Sequence, residues 1–321
     1  MNPVMLSPVD RTTSPHVLIL MATHNGDAYL KAQLKSISSQ DHKNWSLVVS
    51  DDGSRDTTLR ILEDFTRVGH SVSVLPGPLR GAAANFMSLL CRAPEHASPQ
   101  TYIAFADQDD VWMPDRLSRG LRALALLPGA QPAAWCSRTL VTGPRLENPR
   151  LSAARPRPLS FCNALVENVM SGNTVLLNPA ASQLASHLAG KTGKVVMHDW
   201  WLYLILTGSG AQIIHEERPC LYYRQHRGNE IGSNDGVFAR ILQVPMLLTG
   251  RFRRWNGINL AAIAVARPFL TPESDENYSL IARTRNGPLG VRIAALRKVR
   301  VYRQSRICTA GMLILAMLGL F

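Results

Sequence analysis

Three apolar runs in the first third of the chain each end in a polar cluster, and this repetition constrains the fold more than any other feature. "HVLILMA" (16–22) leads into "THNGD", "WSLVVS" (45–50) into "DDGSRD", and "TYIAFA" (101–106) into "DQDD". Continuous apolar runs of this length suit parallel strands buried on both faces. Helical spacing follows the first two runs, in "AYLKAQLKSISSQ" and "TTLRILEDFTRV". A further strand is expected at "SVSVL" (71–75), with a helix around "NFMSLLCRA". Alternation of this kind predicts an α/β unit, a mainly parallel central sheet flanked by helices. Sites in such sheets lie beyond the carboxyl ends of the strands, so the three polar clusters should open on one rim.

Past residue 130 the pattern is less regular. "AAWCSRTLV" and "SGNTVLLN" read as strands, and "HDWWLYLILTGSG" reads as a buried helix ended by glycine. "AQIIHEERPCLYYRQH" reads as a strand, a proline-marked break and a second extended piece.

The segment "FADQDDVW" packs Asp107, Asp109 and Asp110 into four residues. Like charges so close repel unless a cation neutralises them. A strand-end turn open to water would need none, but the bulky "VWMPDRL" that follows would screen this one. A hard divalent ion, Mg²⁺ or Mn²⁺, is the natural partner, since it binds one or two carboxylates together with substrate phosphates. "SDDGS" (50–54) alone is an ordinary turn, although beside "THNGD" it could accept hydrogen bonds from a base or ribose. Neither a P-loop nor a dinucleotide fingerprint is present. In "HDWW", Asp199 is either a helix N-cap or a partly desolvated carboxylate suited to deprotonating a hydroxyl. Its neighbours Trp200 and Trp201 either wall a sugar site or pack the core. "YRQHRGNEIG" (223–232) is either a surface loop or a lid that brings Arg224 and His226 to phosphate oxygens.

In their order, "ILMATHNGDAYLKAQLKSISSQ", "LVVSDDGS", "YIAFADQDDVWMPDRL" and "HDWW" resemble the motifs of the family 2 inverting glycosyltransferases. "GAAANF", "SGNTVLLN", "HDWWLYL" and "YRQHRGNEIG" resemble more narrowly the bacterial rhamnosyltransferase branch that builds surface polysaccharide. The resemblance implies a GT-A nucleotide-diphospho-sugar transferase fold over residues 16–236. It implies that Thr23, His24 and Asn25 line the nucleoside and that Asp52, with Asp51, reads the pyrimidine. Asn85, Arg224 and His226 would complete the donor site. Asp107 and Asp109 would fill the D-x-D pattern that positions ribose and metal-bound diphosphate, with Asp109 the direct ligand of Mg²⁺ or Mn²⁺. Asp199 would be the catalytic base, with His198 in place of the family's usual acidic neighbour. The Q-x-x-R-W motif of processive synthases is absent, which favours transfer of a single sugar. The implied partners are a nucleotide-diphosphate sugar, dTDP-L-rhamnose in that branch, and a glycan or lipid-linked glycan acceptor.

Composition adds a second theme. The chain has 321 residues, 46% apolar and 18% charged, which describes a globular protein. Five scattered cysteines without a C-x-x-C pair exclude a zinc ribbon and a disulfide framework, and fit a reducing compartment. "MNPVMLSPVDRTTSPH" lacks the pattern of a signal peptide, and residues 1–15 read as a disordered leader. The net charge is +12, and residues 240–321 hold 13 Lys and Arg against 3 Asp and Glu. Residues 237–321 are therefore expected to be a basic, apolar helical extension. Its last apolar stretch, Ile307 to Phe321, would span about 22 Å as a helix, short of the roughly 30 Å hydrocarbon core. Flanked by Arg297, Lys298, Arg300, Arg303 and Arg306, it reads as a segment lying on an anionic membrane surface, or else as a helix packed on the catalytic domain. The first reading places the protein peripherally on the inner face of the cytoplasmic membrane. Two other classes share some of these features. A nucleic-acid-binding protein fits the high pI, but the basic surplus sits beside apolar helices without interleaved aromatics. A metal-dependent nucleotidyltransferase would use the same carboxylates to attack phosphorus.

Overall fold

The computed structural model describes residues 14–226 and 251–317. Strand β1 (Val17–Thr23) is buried at all seven positions, and it alternates cleanly between two cores. Leu18, Leu20 and Ala22 face one side, and Val17, Ile19 and Met21 the other. Helix α1 (Leu30–Ser38) follows, then β2 (Trp45–Asp51), α2 (Thr58–Arg67), β3 (Val72–Pro76), α3 (Ala82–Arg92) and β4 (Tyr102–Asp107). Strand β5 (Val111–Trp112) leads to α4 (Arg116–Leu124), β6 (Ala133–Ser137), β7 (Leu140–Thr142) and β8 (Arg150–Leu151). After α5 (Phe161–Ala164) come β9 (Leu176–Leu177), α6 (Pro179–Ala189), α7 (His198–Gly208), β10 (Gln212–Glu216) and β11 (Leu221–Arg224).

Seven strands form the main sheet in the order β10-β6-β9-β4-β1-β2-β3. Its pairings are parallel except where β9 runs antiparallel between β4 and β6. The α/β sandwich with a mainly parallel sheet is thus as the strand pattern predicts. Helices α1, α2 and α4 cover one face through Leu34, Ile61, Leu62 and Leu117, and α3, α6 and α7 cover the other through Phe86, Ala185 and Trp201. Register places Thr23 opposite Asp51 and Ala22 opposite Asp107, so the polar exits share one rim.

Two local expectations change. "AAWCSRTLV" is not one strand: β6 stays in the main sheet, and β7 joins a second sheet of order β5-β11-β7-β8. "SGNTVLLN" begins with a 3-10 turn at Gly172–Thr174 and keeps only Leu176–Leu177 as strand. All five cysteines are free thiols.

The basic extension contributes α8 (Arg251–Ala266), α9 (Pro272–Thr284), α10 (Leu289–Val299) and α11 (Arg306–Met317). Residues 1–13, 227–250 and 318–321 lie outside the described residues, and with them most of the leader, most of "YRQHRGNEIG" and the 236/237 boundary. The four helices are not separate from the α/β body. Ile263, Ile281, Leu296 and Met312 share one apolar core with Trp201, Leu204 and Leu18. A polar seam reinforces the join: Gln304 N–H donates to Glu167 (2.6 Å), Arg303 pairs with Glu167 (3.4 Å), and Asn163 donates to Tyr302 O (2.9 Å). Helix α11 buries Met312 and Ala316 while Ile307 and Ile314 stay exposed. No described helix is long and apolar enough to cross a membrane.

Because Glu167 is the shared acceptor of this seam, Glu167→Ala should lower unfolding stability by at least about 2 kcal/mol, the scale of hydrogen bonds to a charged group. Urea denaturation checks this, and a loss within about 0.5 kcal/mol, typical of a surface substitution, would mean that Glu167 does not hold the extension.

Candidate active site

The rim is built from backbone exits stitched together by side chains. Asp51, at the end of β2, is buried and accepts from the Thr23 hydroxyl (2.9 Å), the Ser54 hydroxyl (2.6 Å) and the Ser54 N–H (2.8 Å). Asp52 accepts the N–H groups of Leu79 (2.5 Å) and Gly81 (2.8 Å), which fixes the loop between β3 and α3. Gly77 lies so near this carboxylate that a Cβ there would come within 2.7 Å of Asp52 Oδ1 and 2.8 Å of Asp51 O. Both aspartates shape the rim from beneath. His24 and Asn25, just past β1, are the exposed members. Asn25 takes a left-handed backbone (φ 47°), and its N–H donates to Ser54 Oγ (2.8 Å). Asn85, in the first turn of α3, is buried and donates to Ser50 O (2.8 Å) behind the rim.

The acid cluster follows β4. Asp107 and Asp109 remain partly open, whereas Asp110 is fully buried. Burial, then repulsion from Asp107 and Asp109, raises the Asp110 carboxyl well above the ordinary aspartate range. Asn173 offsets part of this by donating to Asp110 Oδ2 (2.7 Å). Gln108, between the acids, clasps the His24 backbone at both N–H (2.9 Å) and C=O (3.0 Å), joining the β4 exit to the β1 exit.

The cations near this cluster are partly supplied by the protein. Arg116 is buried beneath it, and its Nη2 donates to Phe105 O (3.1 Å), Asn173 O (2.8 Å) and Val175 O (3.4 Å). The guanidinium also lies over the Trp112 ring, 3.5 Å from its centroid. Burial presses the Arg116 pKa down while Cys220, Asp110 and Asp107 oppose it, and arginine keeps its proton. From the second sheet, the end of β11 brings Arg224 and His226 to the flank. Arg224 is buried: its Nε donates to Asp109 O (2.8 Å), its Nη1 donates to Pro144 O, and it lies over Tyr29. The sequence reading sends Arg224 to phosphate oxygens, and the structure uses it to hold the acid loop. His226 Nε2 lies 2.8 Å from Asp109 Oδ2.

Asp199 sits in the first turn of α7, where Met197 is the N-cap residue, so the capping alternative does not describe it. Its carboxylate accepts from Gly172 N–H (3.1 Å) and Trp200 N–H (2.7 Å). A Cβ on Gly172 would lie 2.6 Å from His198 Nε2 and 3.1 Å from Asp199 Cβ, so this close approach requires glycine. His198 stacks on Phe86 with ring centroids 4.0 Å apart. Trp200 and Trp201 are buried core residues, and Trp200 Nε1 donates to Ala164 O (2.7 Å). Of the two roles open to these tryptophans, packing is the one observed.

Sequence reasoning missed Gln108, Asn173 and Arg116. Gln108 stands inside the acid motif and was legible there. Asn173 and Arg116 act through a fold-level approach between β4 and residues 172–175, which no short motif marks.

Comparison with known proteins agrees with this architecture. Residues 18–158 match the model of glycosyl transferase family 2. The dTDP-rhamnosyl transferase RfbG of Shigella flexneri is 26% identical over 241 residues, covering 73% of this chain and 81% of that protein. The UDP-Glc:alpha-D-GlcNAc-diphosphoundecaprenol beta-1,3-glucosyltransferase WfgD of Escherichia coli is 31% identical over 101 residues, 32% of this chain and 38% of its own. The crystal structure of S. aureus TarS 1-349 superposes with a TM-score of 0.54 at 15% identity, covering 95% of this chain and 87% of that one. At that identity the likeness speaks to the fold. Residues 18–158 are thus similar to glycosyl transferase family 2, and the chain has the GT-A fold.

Proposed function

We propose that the protein transfers one sugar from a nucleoside diphosphate to an acceptor hydroxyl, inverting the anomeric carbon, with Asp199 as base and a divalent ion at the acid cluster. One observation carries the reading. Adjacent residues of a single 3-10 turn hold both parts: Gly172 N–H bonds Asp199 (3.1 Å) and the Asn173 amide bonds Asp110 (2.7 Å). In-line displacement needs its base and its leaving-group site at fixed separation, and a shared rigid turn supplies that.

His24 and Asn25 are the exposed rim groups suited to the nucleoside, held by Thr23, Asp51, Asp52 and Asn85 beneath. Asp107 and Asp109 offer the hard oxygens that Mg²⁺ or Mn²⁺ prefers. Among the described residues no three His, Cys, Asp or Glu side chains converge to hold an ion, so one bound here would draw its remaining ligands from donor phosphates and water. Held by Asp109 and Asp107, the ion would act as a Lewis acid on the departing diphosphate. Asp199 takes the proton from the acceptor hydroxyl as its oxygen attacks carbon on the face opposite the leaving group. His226, beside Asp109, would donate to a donor phosphate.

The likeness to RfbG supports dTDP-L-rhamnose as donor. The name of WfgD, whose acceptor is a diphosphoundecaprenol-linked sugar, supports a lipid-linked glycan of a surface polysaccharide as acceptor. The basic surplus of residues 240–321 supports work at an anionic membrane, peripherally and on its cytoplasmic face.

Incubation with a panel of activated sugars tests the reading. Nucleoside diphosphate should be released, fastest from dTDP-L-rhamnose, and EDTA should stop it until Mg²⁺ or Mn²⁺ is restored. Release of pyrophosphate instead would assign nucleotidyl transfer. Asp199→Asn should lower kcat about 10²–10⁴-fold, the usual contribution of a general base, with donor KM nearly unchanged. Wild-type kcat in that variant would remove Asp199 from the chemistry.

A further inference from the structure

A cavity of about 450 Å³ opens beside the chain that enters α7, walled by Lys194, Val195 and Val196 on one side and by α8 on the other. Arg251, Arg254, Trp255 and Ile258 face it from α8, a spacing of three, four and seven residues that puts all four on one helical stripe. Its described lining holds three cations and no acid. Among the described residues neither Lys194 nor Arg254 has an acidic partner within ion-pair distance, and both are exposed. Arg251 lies over the Trp255 ring, 4.6 Å from its centroid.

Lys194 and Arg254 line one cavity without an acid among the described residues, which costs free energy through repulsion, and an anion arriving there removes that cost. Arginine side chains are the usual partners of phosphate oxygens, and 450 Å³ lies within the range of small-molecule sites. The wall of Val195, Ile258 and Trp255 suits the first carbons esterified to such a phosphate. Packing contacts run from the pocket wall to the helix that carries the candidate base. Trp255 meets Trp200 edge to face at 6.2 Å, and Trp200 N–H bonds Asp199. A single tryptophan therefore separates the pocket floor from the backbone that holds the candidate base. The elements involved, residues 194–196 and α8, contribute nothing to the donor rim.

We infer that this pocket binds the phosphate or diphosphate group of the acceptor, so that the acceptor's sugar hydroxyl is presented to Asp199. Naming the ligand as the acceptor rests on the glycosyl-transfer reading, whereas the anion site itself does not.

Calorimetric titration of the full chain with inorganic pyrophosphate, in EDTA so that no divalent ion assists the donor site, tests the anion site. Saturable binding is expected, weakened at least about tenfold in Arg254→Glu and in Lys194→Glu, as loss of a charge-assisted contact predicts. Both side chains are exposed, so unchanged thermal melting will show that the variants fold. Lys298→Glu, which reverses an exposed charge elsewhere, controls for net charge. No binding, or equal weakening in all three variants, overturns the proposal. A second arm presents farnesyl diphosphate in phosphatidylcholine vesicles: tighter binding there than of free pyrophosphate identifies a lipid-borne group, and the reverse identifies a soluble one. With a working transfer assay, Arg254→Glu should raise acceptor KM about tenfold more than donor KM. If pyrophosphate binds as expected but no activated sugar turns over, the transferase reading fails and the anion site stands.

Discussion

The buried guanidinium of Arg116 is the contact on which the site's geometry depends. It donates to Phe105 O in β4, and to Asn173 O and Val175 O in the segment that returns between β4 and β6. One end of that brace lies two residues before Asp107. The other lies in the turn whose Gly172 and Asn173 hold Asp199 and Asp110. Together with the β4–β9 pairing and the Asn173–Asp110 hydrogen bond, this charged side chain, with almost no exposed surface, joins the strand before the acid cluster to the turn beside Asp199. Burying a charge is costly unless it is paired and hydrogen-bonded; the Nη2 bonds and the Trp112 ring offset part of that cost, while Nε and Nη1 are buried without a hydrogen-bond partner.

This arrangement answers the crowding of three carboxylates in four residues. Asp110 points inward, where burial and its neighbours favour its protonated form and Asn173 bonds it. Arg116 supports the loop from below, and Arg224 and His226 flank it from the second sheet. Asp107 and Asp109 are left at the rim, held but partly open. The proposed divalent ion would use that combination, since carboxylates that share a cation with phosphates must be anionic yet must not splay the strand end that carries them.

Most of the catalytic body was legible because its strands are continuous apolar runs and its chemistry sits where those runs stop. Thr23, Asp51 and Asp107 fall on one rim because parallel strands in register must end together. Side-chain destinations were less legible. "AAWCSRTLV" splits between two sheets on either side of Arg138 and Thr139, and only tertiary pairing distinguishes its two parts. By residue type Arg224 suits phosphate oxygens, and the fold also brings it two backbone carbonyls from distant segments, Asp109 O and Pro144 O. The extension showed its charge and its helices, but its buried face is decided by Met312, Leu296 and Ile263, which are no more apolar than the residues it leaves exposed.

The most direct test of the brace is equilibrium urea denaturation of Arg116→Met, which keeps the apolar stem of the side chain while removing its donors. Leaving Phe105 O and Asn173 O buried without their partner should cost at least about 2 kcal/mol, from about 1–3 kcal/mol per unsatisfied group. Wild-type stability in that variant, within about 0.5 kcal/mol, would contradict the account.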